Sequence, residues 1–193
     1  MKSSIQNQKA TLFTAAKKFF IPALVVLAIA IACKSKSDSA SSSRANVISV
    51  NLEPKSGSGV TGKATFKEMN GFVTFTANIS GLKPGVHAIH IHEKADCSAA
   101  DAASAGGHWN PTHQKHGKWG VGEYHRGDIG NFTTDEFGNG TISLTTDQWC
   151  IGCADESKNI IGKGIIVHEK ADDLETQPSG NAGGRVACAA IIR

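Results

Sequence analysis

Gly81-Leu82-Lys83-Pro84-Gly85-Val86-His87-Ala88-Ile89-His90-Ile91-His92-Glu93 is the stretch that decides the reading of this chain. Val86 to His92 has the β-branched, apolar content of a strand, and Pro84-Gly85 punctuates its start. On a strand, residues i and i+2 share a face, so His90 and His92 can reach one ion together. His87, three residues before His90, falls on the other face and reads as a structural, hydrogen-bonding histidine. The chain has 8 histidines, and all of them lie between His87 and His168. Scattered core histidines would not cluster in this way. The chain reads as a metalloprotein.

Outward from that strand the sequence is β throughout. Val47 to Leu52 alternates, Gly59 to Phe66 is rich in Val and Thr, and Phe72 to Ile79 alternates again after the turn signal Asn70-Gly71. Asn139-Gly140 opens Thr141 to Thr145 as a hairpin signal, and Gly164 to His168 and Arg185 to Ile192 supply the last strands. No stretch combines helical periodicity with caps. The expected fold is all-β, a Greek-key antiparallel barrel or sandwich of about eight strands. Two long segments interrupt the rhythm, Glu93 to roughly Gly130 and Glu169 to Gly184, and each follows a strand that carries a candidate ligand. Long loops in a compact β domain are usually functional.

The ends and the charge narrow the setting. Residues 1–32 read as a signal peptide: Lys2, Lys9, Lys17 and Lys18 precede the apolar run Phe19 to Ala32, which is shorter than the roughly 20 residues of a spanning helix. Ala30-Ile31-Ala32 before Cys33 fits lipoprotein processing, with Cys33 the lipidated N-terminus, and also fits ordinary cleavage. Residues 33–45 then form a Ser-rich flexible tether, and 46–193 the folded domain. The expected location is the cell envelope, exported and lipid-anchored, facing the periplasm or exterior. Of 20 Lys and Arg against 17 Asp and Glu, four cations belong to the leader, leaving 16 against 17, a formal charge of −1. With no basic stripe carrying interleaved aromatics, nucleic acid is excluded as a partner.

Besides Cys33, four cysteines remain, an even number that fits two disulfides in an oxidising compartment. Cys150-Ile151-Gly152-Cys153 can close on itself or hold a loop, leaving Cys97 and Cys188 as the other pair. A C-x-x-C can also be a redox or zinc motif, but no second pair exists for zinc and no βαβ pattern surrounds this one. A structural bridge is the expectation. The remaining candidate ligands are imidazoles and a carboxylate, a set that suits copper, zinc, iron or nickel and not calcium or magnesium. They exceed what one ion needs, so two ions fit if one histidine uses both ring nitrogens. Spacing takes the reading no further.

Five blocks in order resemble the copper-zinc superoxide dismutase family, over about Asn46 to Arg193. These are the opening stretch; Gly106-Gly107-His108-Trp109-Asn110-Pro111 with His116-Gly117; His125-Arg126-Gly127-Asp128-Ile129-Gly130-Asn131; Val167-His168-Glu169-Lys170-Ala171-Asp172-Asp173; and Gly180-Asn181-Ala182-Gly183-Gly184-Arg185-Val186-Ala187-Cys188. The resemblance implies copper on His90, His92, His108 and His168. It implies zinc on His108, His116, His125 and Asp128, with His108 bridging, and it favours His116 over His113. It casts Arg185 as the residue that orients the superoxide substrate, His108 as the proton carrier, and Asp172 as the carboxylate steadying His90 and His116. It implies a Cys97–Cys188 bridge pinning the metal loop near Arg185, and a homodimer stays open. Trp109, Trp119 and Trp149 read as packing residues.

Departures bear on rate. Ser98 to Gly107 is long and Ala-rich, and Leu174 to Gly184 is short and lacks lysine, so the usual steering charges are missing there. Lys94, Lys115, Lys118, Arg126 and Lys170 are the candidates to replace them. The expected activity is conversion of superoxide to oxygen and hydrogen peroxide. The alternative is a non-catalytic copper-binding or copper-delivery module on the same fold.

Overall fold

A computed structural model describes residues 44–193. The stretch read as a signal peptide, Cys33 and nearly all of the expected tether lie outside the described residues. Eight strands follow in order: β1 (Asn46–Pro54), β2 (Thr61–Met69), β3 (Phe72–Ser80), β4 (Gly85–His92), β5 (Gly130–Thr134), β6 (Gly140–Thr146), β7 (Gly164–His168) and β8 (Arg185–Ala190). They close into one antiparallel barrel in the order β1-β2-β3-β6-β5-β4-β7-β8. β3 and β4 are consecutive in the chain but not neighbours, and so are β6 and β7, so these two connections pass over intervening strands.

Local chemistry explains the strand boundaries. Asn70 and Gly71 both have positive φ, 54° and 80°, the backbone a two-residue hairpin turn requires, and Met69 pairs with Phe72 directly across it. Inward residues alternate along β3: Val73, Phe75, Ala77 and Ile79 are buried, and the residues between them are not. The core continues through Phe66, Ile89, Ile91, Trp149, Ile165 and Ile191, with Phe66 and Phe75 ring centroids 5.0 Å apart.

Two features differ from the sequence reading. β5 (Gly130–Thr134) went unnamed there, because it is short, starts directly after the long loop and has Phe132 as its one large apolar residue. The hairpin turn before β6 also lies earlier than Asn139-Gly140. Asp135 accepts from the N–H groups of Phe137 and Asn139, Gly138 takes φ 79°, and β6 begins at Gly140. A single 3₁₀ turn, Ala103–Ala105, sits in the Ala-rich segment. Disulfides join Cys97 to Cys188 and Cys150 to Cys153.

Candidate metal centre

β4 sends His90 and His92 to one side, and β7 ends on His168 beside it, since His90 pairs with Ile166 and Ile89 with Val167. The segment after β4 folds back onto the same strand. His92 bridges to His108, Trp109 N–H donates to Ile91 O (2.8 Å), and Ile91 N–H donates to Gly127 O (2.9 Å). Gly127 is needed for this approach: a Cβ there would stand 2.1 Å from Ile91 O. The loop therefore delivers His108, His116, His125 and Asp128 to the edge of the β4 pair.

Two groups of potential ligands result. His90, His92, His108 and His168 each offer an atom within 4.8 Å of the others, and so do His108, His116, His125 and Asp128. All seven residues are buried. His113 is exposed, with φ 54°, and belongs to neither group.

Hydrogen bonding fixes which nitrogen of each ring is free. A carbonyl only accepts, so the nitrogen facing it carries the proton. His92 Nδ1 donates to Gly106 O (3.0 Å) and His168 Nδ1 to Gly183 O (3.4 Å). The Nε2 of each is left as an unprotonated lone pair. Asp172 works in the same way for two rings: its Oδ2 accepts from His90 Nε2 (2.8 Å) and its Oδ1 from His116 Nε2 (2.9 Å). Burial alone would raise the Asp172 carboxyl, but the bonds to His116 and His90 pull it well below the usual carboxylate range.

What remains is a set of buried nitrogens: His90 Nδ1, His92 Nε2, His108 Nε2 and His168 Nε2 have no partner, and His116 Nδ1 and His125 Nδ1 converge on the Asp128 carboxylate at 3.0 and 3.3 Å. Buried polar atoms normally find a hydrogen bond, and four unmet imidazole nitrogens in one place, with two more crowding one carboxylate, would be costly unless something else held them. A metal ion in each group satisfies all of them. His108 belongs to both groups by opposite nitrogens, with Nε2 free and Nδ1 2.8 Å from Asp128 Oδ1. The donor set, imidazoles plus one carboxylate, suits copper and zinc.

Charge is arranged to match. Burial opposes ionisation of Asp128, but His108, His116 and His125 hold the carboxyl far below its ordinary value. Burial also lowers His108 to about 4 and holds His92 and His168 well below 6.5, so these rings are neutral at pH 7.

Above the first group lies a cavity of about 550 Å³, lined among others by His92, His108, His168, Lys115, Gln177 and Arg185. Arg185 is fixed at its wall: Nη1 donates to Ala102 O and Nη2 to Gly106 O, both at 2.8 Å. Gly106 O thus joins Arg185 to the His92 ring. Of the five cations weighed as steering charges, Lys115 lines this cavity. Arg126 turns instead to Gln148.

Two amide side chains without an assigned role prove to hold the site. Asn131 bonds both the N–H and the C=O of Asp172, each at 2.8 Å, and Gln177 bonds both the N–H and the C=O of His116, each at 2.9 Å. Each grips backbone far away in sequence, which no local pattern could announce.

Comparison with known proteins agrees with the geometry. The family model for copper/zinc superoxide dismutase matches residues 60–191, a span that holds both ligand groups, Asp172 and Arg185. Among solved structures, a crystal structure of the clock protein EA4 is 37% identical, with a TM-score of 0.64, covering 75% of this chain and 91% of that one.

Proposed function

The chain belongs to the copper/zinc superoxide dismutase family, and from that premise we propose that it dismutates superoxide, with copper in the first ligand group and zinc in the second. The observation that carries this reading is the set of four unpartnered imidazole nitrogens, all from the first ligand group, beside a cavity walled by a fixed arginine. Two superoxide anions and two protons become oxygen and hydrogen peroxide, and bound copper would supply the one-electron redox chemistry. His108, His116, His125 and Asp128 would hold the zinc with four protein ligands, so its part would be structural and electrostatic.

The chain's own residues do the rest. Arg185 holds the anionic substrate, because its guanidinium has more N–H donors than the two carbonyls use. Gly106 O keeps it in register with His92. His108 handles the proton: Nδ1 lies on Asp128, so a proton taken up at Nε2 sits where the reduced dioxygen species must collect one. Asp172 holds one ring of each group in a single tautomer, and such outer carboxylates fix ring orientation. Lys115 is the cation placed to attract superoxide into the cavity. The reading extends to export and lipid attachment at Cys33, supported by Ala30-Ile31-Ala32 before it and the Ser-rich segment after it.

The test is superoxide decay followed directly with the purified protein loaded with copper and zinc, against a zinc-only control. Copper-dependent decay that falls by roughly a hundredfold or more in His92→Ala is the expected result. Tight copper binding without catalysed decay would replace the enzyme with a copper carrier.

A further inference from the structure

The two carbonyls that hold Arg185 belong to a segment with few side chains to fix it. Ala102 and Gly106 supply them, and Ser98 to Gly107 is Ala-rich. Ala102 is buried and left-handed, with φ 57°, a backbone that a residue with a Cβ keeps only where its surroundings enforce it. In that conformation its O accepts from both Arg185 Nη1 (2.8 Å) and Ala105 N–H (3.2 Å). The Cys97–Cys188 bridge ties this segment to β8, but at Cys188, three residues beyond Arg185.

A second tie comes from the connection between β1 and β2. On the side of the Ala-rich segment, Ser56 N–H donates to Ala100 O (2.8 Å) and Lys55 Nζ donates to Cys97 O. On the side of β8, Ser56 Oγ donates to Arg185 O (2.8 Å) and Lys55 N–H to Val186 O (2.9 Å). Ser58 Oγ donates to Val186 O as well. Ser56 is itself left-handed, with φ 54°. Two adjacent residues therefore hold both the strand that carries Arg185 and the segment that carries its carbonyl partners. None of these bonds reaches a candidate metal ligand.

We propose that Lys55 and Ser56 are positioning residues for Arg185. By fixing its main chain and the segment that supplies Ala102 O and Gly106 O, they set how firmly the guanidinium stands at the cavity wall. With it they set how tightly the cavity holds a small anion. Neither residue lines the cavity, so both act on it through Arg185. This role rests on Arg185 being the residue that holds the substrate anion.

Two readouts on the full chain loaded with copper and zinc test this. The hold on Arg185 is read from its rate of labelling by phenylglyoxal, followed by peptide mass spectrometry, and anion affinity from azide titration. Ser56→Ala and Lys55→Met should each speed labelling of Arg185 roughly threefold, and together roughly tenfold, with azide binding weakened by similar factors. Ser56→Ala changes no charge, and Lys55→Arg, which keeps a cation and a donor, should label like the wild type. A lost electrostatic field then does not account for the effect. Arg126 and Arg193 should label at unchanged rates, and the thermal midpoint should move by less than about 4 °C. In the double variant, Arg185 labelled no faster, Arg185 labelled faster only in step with Arg126 and Arg193, or an unchanged azide affinity would each overturn the proposal. Superoxide decay by the wild type is scored separately. Its absence beside faster Arg185 labelling removes the dismutation and leaves the positioning, and its presence beside unchanged labelling does the reverse.

Discussion

The barrel has two unlike halves. In β1-β2-β3-β6 the faces differ: β3 buries Val73, Phe75, Ala77 and Ile79, while its outer side carries Thr74 and Thr76, hydrogen-bonded to Thr145 and Ser143. In β4 and β7, at the centre of the other half, that contrast is lost. From His87 to His92 every residue of β4 is buried, and all of β7 is too. The reason is covering. The two long segments lie over the second half, so β4 and β7 carry apolar side chains on one face and the candidate ligand histidines on the other. Alternation marks where a sheet meets water, and its failure here marks where the loops build the site.

The largest effect expected from this division is on stability. Phe75 is fully buried in the first half against Phe66 and Trp149. Phe75→Ala should cost about 3–5 kcal/mol in urea unfolding of the metal-free chain, yet leave metal stoichiometry unchanged while the chain stays folded. Loss of metal sites in the folded variant would break the comparison, because the halves would then not be separable.

Next comes the pH dependence that separates the two ligand groups. Burial pushes His116 down, but its bonds to Asp128 and Asp172 outweigh burial and lift it to about 9 in the metal-free chain. His92 and His168 are already neutral at pH 7. Between pH 7 and about 9 an ion entering the second group must therefore expel a proton from His116, and an ion entering the first need not. Zinc affinity should rise about tenfold per pH unit over that range, with one proton released, and copper affinity should change far less. Competition titrations at two pH values, with the released protons counted calorimetrically, check this. Equal slopes for the two metals would refute it. The same shift has a stability sign: because the folded pKa lies above 6.5, the His116 contribution in the metal-free chain is full below about 6.5 and is lost as pH rises through about 9. Acid has the converse effect on the loaded protein, and zinc should leave before copper.

How far the sequence announced this follows the same division. Period-two patterning located β1 and β3 and placed His90 and His92 on one face, while Val and Thr content pointed to β2 and a turn signal to β6, because those inferences need only neighbours in the chain. It could not place β5, where Phe132 is the one large apolar side chain in Gly130–Thr134. The division of seven ligands between two ions came from resemblance, since His108, His116, His125 and Asp128 have no spacing rule that pairs them with β4. Asn131 and Gln177 were beyond reach for the same physical reason: they act on backbone 41 and 61 residues away. Gln177→Ala tests whether such remote grips matter. Its two bonds to His116 are partly exposed, so about 1 kcal/mol is at stake, and zinc should dissociate roughly fivefold faster with copper release unaltered.

The smallest effect should fall on the open face of the first half. Thr76 lies between Thr65 and Ser143 in the ladder, and its Oγ1 is 3.2 Å from Ser143 Oγ. Thr76→Val removes that bond, but Ser143 Oγ still donates to Phe75 O at 2.9 Å, so no polar group is left stranded. Valine keeps the branched shape a strand favours, and water can replace the lost contact. The change in unfolding free energy should stay within about 0.5 kcal/mol, and neither metal affinity should move. A shift in zinc affinity from this substitution would mean that the hydroxyl face couples to the site across the barrel. The division into a patterned half and a covered, metal-bearing half would then describe burial alone and not energetics.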